Sequence, residues 1–208
     1  MIHPEDITGM VLAGGRGTRM GGIDKGLQPF QGTPLALHAL QRLRPQVGRC
    51  MINANRNLGT YAGFGVPVHA DTVADYAGPL AGFVAGLKHC PTPWLLTIPC
   101  DSPRLPLDLA QRMAHTAERE QALIVLAAAP ELQRDGQLQL RAQPVFALLH
   151  TSLLTSLQDF VQKGGRKIDA WTAQHPQALC CFNLANDDEH AFTNANTLQE
   201  LQALEGKT

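Results

Sequence analysis

The chain has 208 residues, 44% of them hydrophobic and 17% charged, with a formal net charge of -1. Those values suit one packed core, or one core with a small appendage. They exclude a basic field that would gather nucleic acid and the acidic, core-poor composition of a disordered chain.

Continuous apolar runs mark strands covered on both faces, and they alternate with helical spacing. In chain order, strands are predicted at residues 7–13, 50–54, 66–70, 94–98, 122–128, 138–149 and 178–184, with Pro144 inside the sixth. Helices are predicted at 34–43, 79–90, 106–117, 151–161 and 197–204; Pro34 and Pro79 suit first helical positions. The alternation in the first ~130 residues argues for an α/β fold with a mostly parallel sheet and helices on both faces, a three-layer arrangement. No linker or repeat divides the chain, so a single domain spanning 1–208 is expected. Five cysteines, an odd number without C-x-x-C spacing, indicate reduced thiols and neither a disulfide framework nor a zinc site. The first six residues are polar and acidic, unlike a signal peptide, and no apolar stretch approaches the ~20 residues of a bilayer span. A cytoplasmic location is the expectation.

The segment Leu12-Ala13-Gly14-Gly15-Arg16-Gly17-Thr18-Arg19-Met20-Gly21-Gly22-Ile23-Asp24-Lys25 follows the first strand. In open α/β sheets ligands bind at the carboxyl ends of strands. Five glycines there permit positive φ and close backbone approach, free N–H groups cradle phosphate oxygens, and Arg16, Arg19 and Lys25 add positive charge. A nucleoside triphosphate fits that chemistry. The spacing is not a Walker A loop, because Gly26 rather than Ser or Thr follows Lys25, and not G-x-G-x-x-G, because Met20 stands at the third glycine.

Further blocks follow at the ends of predicted strands. Ile52-Asn53-Ala54-Asn55-Arg56 offers an amide able to read a base edge, although a turn asparagine would look the same. Asp71 opens a segment continuing through Gly78-Pro79-Leu80-Ala81-Gly82. Pro99-Cys100-Asp101-Ser102-Pro103 sets one carboxylate after a buried strand, where Mg²⁺ held largely by phosphate oxygens and water would need it; an ordinary turn is the alternative. Late in the chain come Gly164-Gly165-Arg166-Lys167 and Phe192-Thr193-Asn194-Ala195-Asn196-Thr197, where Asn196 also suits a helix cap.

Together, from about residue 7 to 205, these blocks resemble the molybdenum cofactor guanylyltransferase family, most specifically in Gly-Gly-Ile-Asp-Lys-Gly-Leu at 21–27. The resemblance implies a nucleotide-diphospho-sugar-transferase-like, Rossmann-like fold, with the N-terminal part binding GTP and the C-terminal part facing molybdopterin. It implies transfer of GMP from GTP to the terminal phosphate of Mo-molybdopterin, with Mg²⁺ as cofactor. Leu12, Ala13, Gly14, Gly15, Lys25, Asn53, Asp71 and Asp101 are carried over as nucleotide-binding residues. Arg19, Lys25 and Asp101 are carried over as catalytic residues, with Asp101 also the metal ligand. Gly82, Arg166, Lys167, Asn194 and Asn196 are the candidates for molybdopterin. Expected partners are the two substrates, with transient contacts to molybdenum cofactor biosynthesis proteins and molybdoenzyme chaperones; neither nucleic acid nor membrane is expected, and a monomer is. A cytidylyl or sugar-phosphate relative and a non-catalytic GTP sensor are the rival readings. Residues 130–136 match the family poorly, whereas at 140–145 the family more often has a His or Gln before the proline, with which Gln143-Pro144 is compatible.

Overall fold

The computed structural model describes residues 1–15, 24–72, 78–133, 136–195 and 200–201. At its centre lies β1 (Ile7–Leu12), whose side chains alternate between two cores. Ile7 and Val11 enter one apolar cluster and Met10 the other, so both faces of the strand are buried. Its parallel neighbours are β4 (Arg49–Asn53) and β6 (Trp94–Pro99), and the strand ends align: Leu12 pairs with Asn53 on one side and Pro99 on the other.

Beyond β4 lies β5 (Val68–His69), and beyond β6 lie β8 (Leu138–His150), β7 (Ile124–Leu132) and β9 (Gln177–Cys181). The order is therefore β5-β4-β1-β6-β8-β7-β9, with β8 antiparallel to both its neighbours. A separate hairpin pairs β2 (Pro29–Phe30) with β3 (Thr33–Pro34), turning through Gln31 and Gly32 at φ 49° and 77°, the positive angles a tight hairpin requires. Helices α1 (Leu35–Leu43) and α4 (Leu109–Glu120) supply Leu40, Leu43, Met113 and Ala114 to the first core. Helices α3 (Pro79–His89), α5 (Leu154–Gln162) and α6 (Ile168–Thr172) supply Phe83, Val84, Leu157 and Trp171 to the second. A short α2 (Leu58–Ala62) follows β4. This is the expected mostly parallel sheet with helices on both faces.

The differences from the sequence reading have local causes. The strand expected at 66–70 shrinks to two residues, because Gly65 turns at φ 76° and Pro67 has no N–H to donate. The helix expected from residue 106 starts at Leu109, and the Ala110 N–H is held by the Gln46 side chain at 3.1 Å. Helices α2 and α6, five residues each, are too short to show a periodic apolar stripe and were not anticipated. The helix expected at 197–204 falls mostly outside the described residues. Among the described residues, no helix is long and apolar enough to cross a membrane.

Candidate functional site

The chain passes from β1 outward to β4 and β5, then returns through α3 to β6 on the other side of β1. The crevice between the ends of β1 and β6 is thus a topological switch point, where the connections diverge and leave room for a ligand. A cavity of about 590 Å³ opens there. Its floor is Leu12, Ala13, Gly14 and Gly15, and its sides carry Lys25, Asn53, Asp71 and Asp101.

Three strand ends position these groups. The ladder continues past the formal strand limits: Ala13 N–H donates to Asn53 O at 2.8 Å and Cys100 N–H to Leu12 O at 3.1 Å. The loops after β1, β4 and β6 therefore leave the sheet side by side. Across the crevice the Lys25 ammonium forms an ion pair with the Asp101 carboxylate, both side chains being mostly buried.

On the β4 side, an amide network fixes Asp71. Asn53 Nδ2 donates to Asp71 Oδ1 at 2.9 Å and to His69 O at 3.1 Å; Asn55 Nδ2 donates to Asp71 Oδ2 at 2.7 Å and to Gly14 O at 3.0 Å. The Asp71 N–H in turn donates to Asn55 Oδ1 at 2.8 Å. The Asn53 carbonyl is crowded against two glycines. A Cβ on Gly14 would lie 2.9 Å from Asn53 Oδ1, and one on Gly82 would lie 2.8 Å from it and 2.5 Å from Leu12 Cδ2.

Gly82 is buried inside α3 and does not line the cavity; its missing side chain lets α3 seat against Leu12 and Asn53, which do line it. Arg166 and Lys167 are exposed between α5 and α6 and do not line the cavity either; Arg166 Nη1 donates to Gly165 O at 3.0 Å. Asn194 does reach the cavity. Its Oδ1 accepts from the buried Ser102 hydroxyl at 2.7 Å, while Ala195 N–H donates to Asp101 O at 2.9 Å. Arg19 and Asn196 lie outside the described residues, as does Arg16.

The segment carrying Asn194 is clamped from below. Arg112 on α4 donates to both Asp187 oxygens, at 2.6 and 3.2 Å, and to Cys181 O at 2.7 Å, with its guanidinium 3.9 Å from the centre of the Phe182 ring. Hydrogen bonds from Arg112 hold the Asp187 carboxyl below the usual carboxylate range. Phe192 packs edge-on against Phe146 and Phe182.

Two features escaped the sequence reading. Asp24, beside Lys25, is buried and accepts from the Tyr61 hydroxyl at 2.7 Å and from Asn57 Nδ2 at 2.9 Å, with Arg56 Nε 3.9 Å away. Burial and the bond to Asp24 push the Tyr61 hydroxyl far above its ordinary pKa, so it stays a donor. This clamp fixes the chain immediately before Lys25. The second feature is the wall from Gln143 to Phe146 on β8. Its signals were Pro144 inside a long predicted strand, since proline interrupts a ladder and is tolerated at bulges, and Gln143 before that proline, which is compatible with the family pattern. Cys100 is buried at the edge of the cavity, and desolvation with the neighbouring Asp101 charge raises its thiol pKa, which disfavours the reactive thiolate. His38 sits on α1 with its ring edge-on to Phe30, away from the cavity.

The sheet order and the crevice at its switch point define an open, mostly parallel α/β protein with a ligand site at the carboxyl ends of β1 and β6. Solved structures share the fold: the molybdopterin-guanine dinucleotide biosynthesis protein A of Archaeoglobus fulgidus has a TM-score of 0.73 at 18% identity, covering 96% of this chain and 97% of its own. The 4-diphosphocytidyl-2C-methyl-D-erythritol synthase of Anaerococcus prevotii has a TM-score of 0.70 at 10% identity, with 98% of each chain covered. Residues 9–180 match the MobA-like NTP transferase domain. Proteins named molybdenum cofactor guanylyltransferase are 64% identical in Acidovorax ebreus (99% of this chain, 98% of that one) and 59% identical in Bordetella petrii (98% and 100%). The chain belongs to the molybdenum cofactor guanylyltransferase family, within the MobA-like NTP transferases. It is a nucleotidyltransferase of molybdenum cofactor biosynthesis.

Proposed function

We propose that the protein transfers GMP from GTP to the terminal phosphate of Mo-molybdopterin, yielding the guanine dinucleotide form of the cofactor and pyrophosphate. The observation that carries this reading is the convergence of Lys25 and Asp101 over the glycine-rich end of β1 in one cavity. We assign the whole chain to one domain, its N-terminal part holding GTP and its C-terminal part facing molybdopterin.

In this reading the backbone N–H groups at Gly14 and Gly15 hold the triphosphate, while Asn53 and Asp71 lie toward the nucleoside. The molybdopterin phosphate attacks the α-phosphorus in line, the bond to the β-phosphate oxygen breaks, and pyrophosphate leaves. That phosphate is ionised near neutral pH, so a general base is not required and the histidines need no catalytic role. Lys25, with Arg19, neutralises charge on the phosphate oxygens and the departing pyrophosphate. Preorganised charge of this kind and in-line positioning supply most of the rate in phosphorus transfer.

Among the described residues no cluster of three or more His, Cys, Asp or Glu is arranged to hold a metal. A single carboxylate beside a phosphate-binding loop nevertheless fits Mg²⁺, which takes one or two carboxylates and completes its shell with phosphate oxygens and water. Asp101 would hold it. Bound there, Mg²⁺ would supply Lewis-acid neutralisation of the triphosphate. Asp101 in turn must give up part of its interaction with Lys25, leaving the ammonium facing phosphate.

The experiment is pyrophosphate release by purified protein with GTP and Mg²⁺, with and without Mo-molybdopterin. Release that depends on the acceptor supports transfer. GTP binding without acceptor-dependent release would favour a non-catalytic sensor.

A further inference from the structure

The pairing of β7 with β8 breaks beside the cavity. Leu126 pairs with Ala147, but the next pair is Ala127 with Gln143, so Pro144, Val145 and Phe146 stand outside the ladder. Such bulges re-aim side chains, and proline is tolerated there because it has no N–H to offer. This one is pinned from both sides. The Thr97 hydroxyl on β6 donates to Val145 O at 2.8 Å, and the buried Phe146 ring lies 4.9 Å from that of Phe192.

The bulge presents Gln143 at the cavity wall, half-buried and with no hydrogen-bond partner for its carboxamide among the described residues. The other amides of the site are committed: Asn53 and Asn55 donate to Asp71, and the Asn194 carbonyl accepts from Ser102. Gln143 lies on the β8 side of Asp101, whereas Asn53 and Asp71 lie on the β4 side of β1. A ligand spanning the crevice meets the amide–aspartate network at one end and Gln143 at the other.

We infer that Gln143 is a specificity-determining residue for the acceptor, binding the lactam edge of its pterin ring. The inference rests on the proposed guanylyl transfer. A carboxamide carries one acceptor and a donor pair, which matches the adjacent C=O and N–H of an aminopyrimidinone edge. Pro144 and Val145 supply apolar surface beside it for a flat heterocycle. The carboxamide faces the open cavity, so a flat ligand seated there can exchange its water contacts for a paired donor and acceptor.

The test compares wild type, Gln143→Ala and Gln143→Glu in steady-state transfer, with GTP and Mo-molybdopterin varied in turn and unfolding temperatures measured alongside. Binding of molybdopterin alone is read by quenching of intrinsic fluorescence. Gln143→Ala is expected to raise the acceptor KM and the molybdopterin Kd roughly tenfold to a hundredfold, as loss of one well-placed amide does. Its GTP KM and unfolding temperature should stay near wild type. Gln143→Glu keeps the shape but loses the N–H donors, so it should weaken the acceptor at least as much. An unchanged acceptor KM in both variants, or a Glu variant that binds molybdopterin like wild type while Ala does not, overturns the inference. A wild-type protein that transfers nothing to molybdopterin overturns the functional reading itself, whatever the variants do.

Discussion

Lys25 and Asp101, from loops after different strands, meet as an ion pair across the crevice between β1 and β6. Neither strand end suffices alone: the β1 loop brings the cation, the β6 loop the carboxylate, and the parallel register holds them opposed. Asp101→Asn is expected to reduce kcat by at least about a hundredfold, because it weakens the hold on the Mg²⁺ that would neutralise charge on the triphosphate, and losing such stabilisation costs that order of rate. The unfolding temperature is measured alongside, because the change takes a charge partner from a mostly buried ammonium and a loss of fold must be told apart from a loss of chemistry. Near-wild-type turnover with Mg²⁺ would remove Asp101 from the chemistry. For Lys25→Ala, a higher GTP KM with unchanged kcat would confine Lys25 to ground-state binding.

The buried clamp on Asp24 predicts a separate effect. Tyr61→Phe deletes the 2.7 Å bond to a carboxylate that is almost fully enclosed. Leaving that carboxylate short of a partner should cost about 1–3 kcal/mol. Chemical denaturation measures it directly. Because Asp24 fixes the chain before Lys25, kcat should fall as well; a loss of stability with no change in kcat would show that the clamp does not position the lysine.

Gly82→Ala separates packing from substrate contact. The added methyl meets Leu12 Cδ2 at 2.5 Å and Asn53 Oδ1 at 2.8 Å, so α3 or the Asn53 network must shift. Overpacking of this kind costs about 1–3 kcal/mol. The account predicts lower stability and weaker GTP binding, with the acceptor KM little changed. The reverse split, an intact GTP site with a damaged acceptor KM, would restore Gly82 to the molybdopterin side.

The Arg112–Asp187 clamp makes the stability pH-dependent in acid. Asp187 has a depressed folded-state pKa, so its contribution is present above the unfolded carboxylate value of about 3.9 and is lost as pH falls through the lower folded value. Wild type should lose stability relative to Asp187→Asn across that acid range, and the difference should be flat from about pH 5 to 7. Denaturation curves of both proteins from pH 3 to 7 check this; a difference that does not shrink in acid would contradict the ion-pair origin.

Much of this site was legible because its residues follow strands. Leu12, Asn53 and Asp101 stand at or just after the ends of apolar runs, which is where an α/β sheet presents ligands, and the structure brings them into one cavity with Lys25, Asp71 and Asn194. The packing constraint on Gly82 was not legible because it is non-local: nothing in its own segment says that Leu12 and Asn53 will press on it. Asp24 was hidden for the same reason, its buried hydroxyl partner coming from α2, too short to announce itself. The Gln143 wall depends on a register break between β7 and β8, which hydrophobic pattern alone does not encode beyond the clue of Pro144.

The central claim is the identity of the transferred group, and direct product analysis tests it. Purified protein is incubated with Mg²⁺ and Mo-molybdopterin, with GTP or CTP in separate reactions, and the dinucleotide is identified by mass spectrometry beside released pyrophosphate. The account predicts the guanine dinucleotide and equimolar pyrophosphate with GTP, and at most a trace of product with CTP. Efficient formation of the cytosine dinucleotide, or GTP binding with no dinucleotide at all, would contradict it.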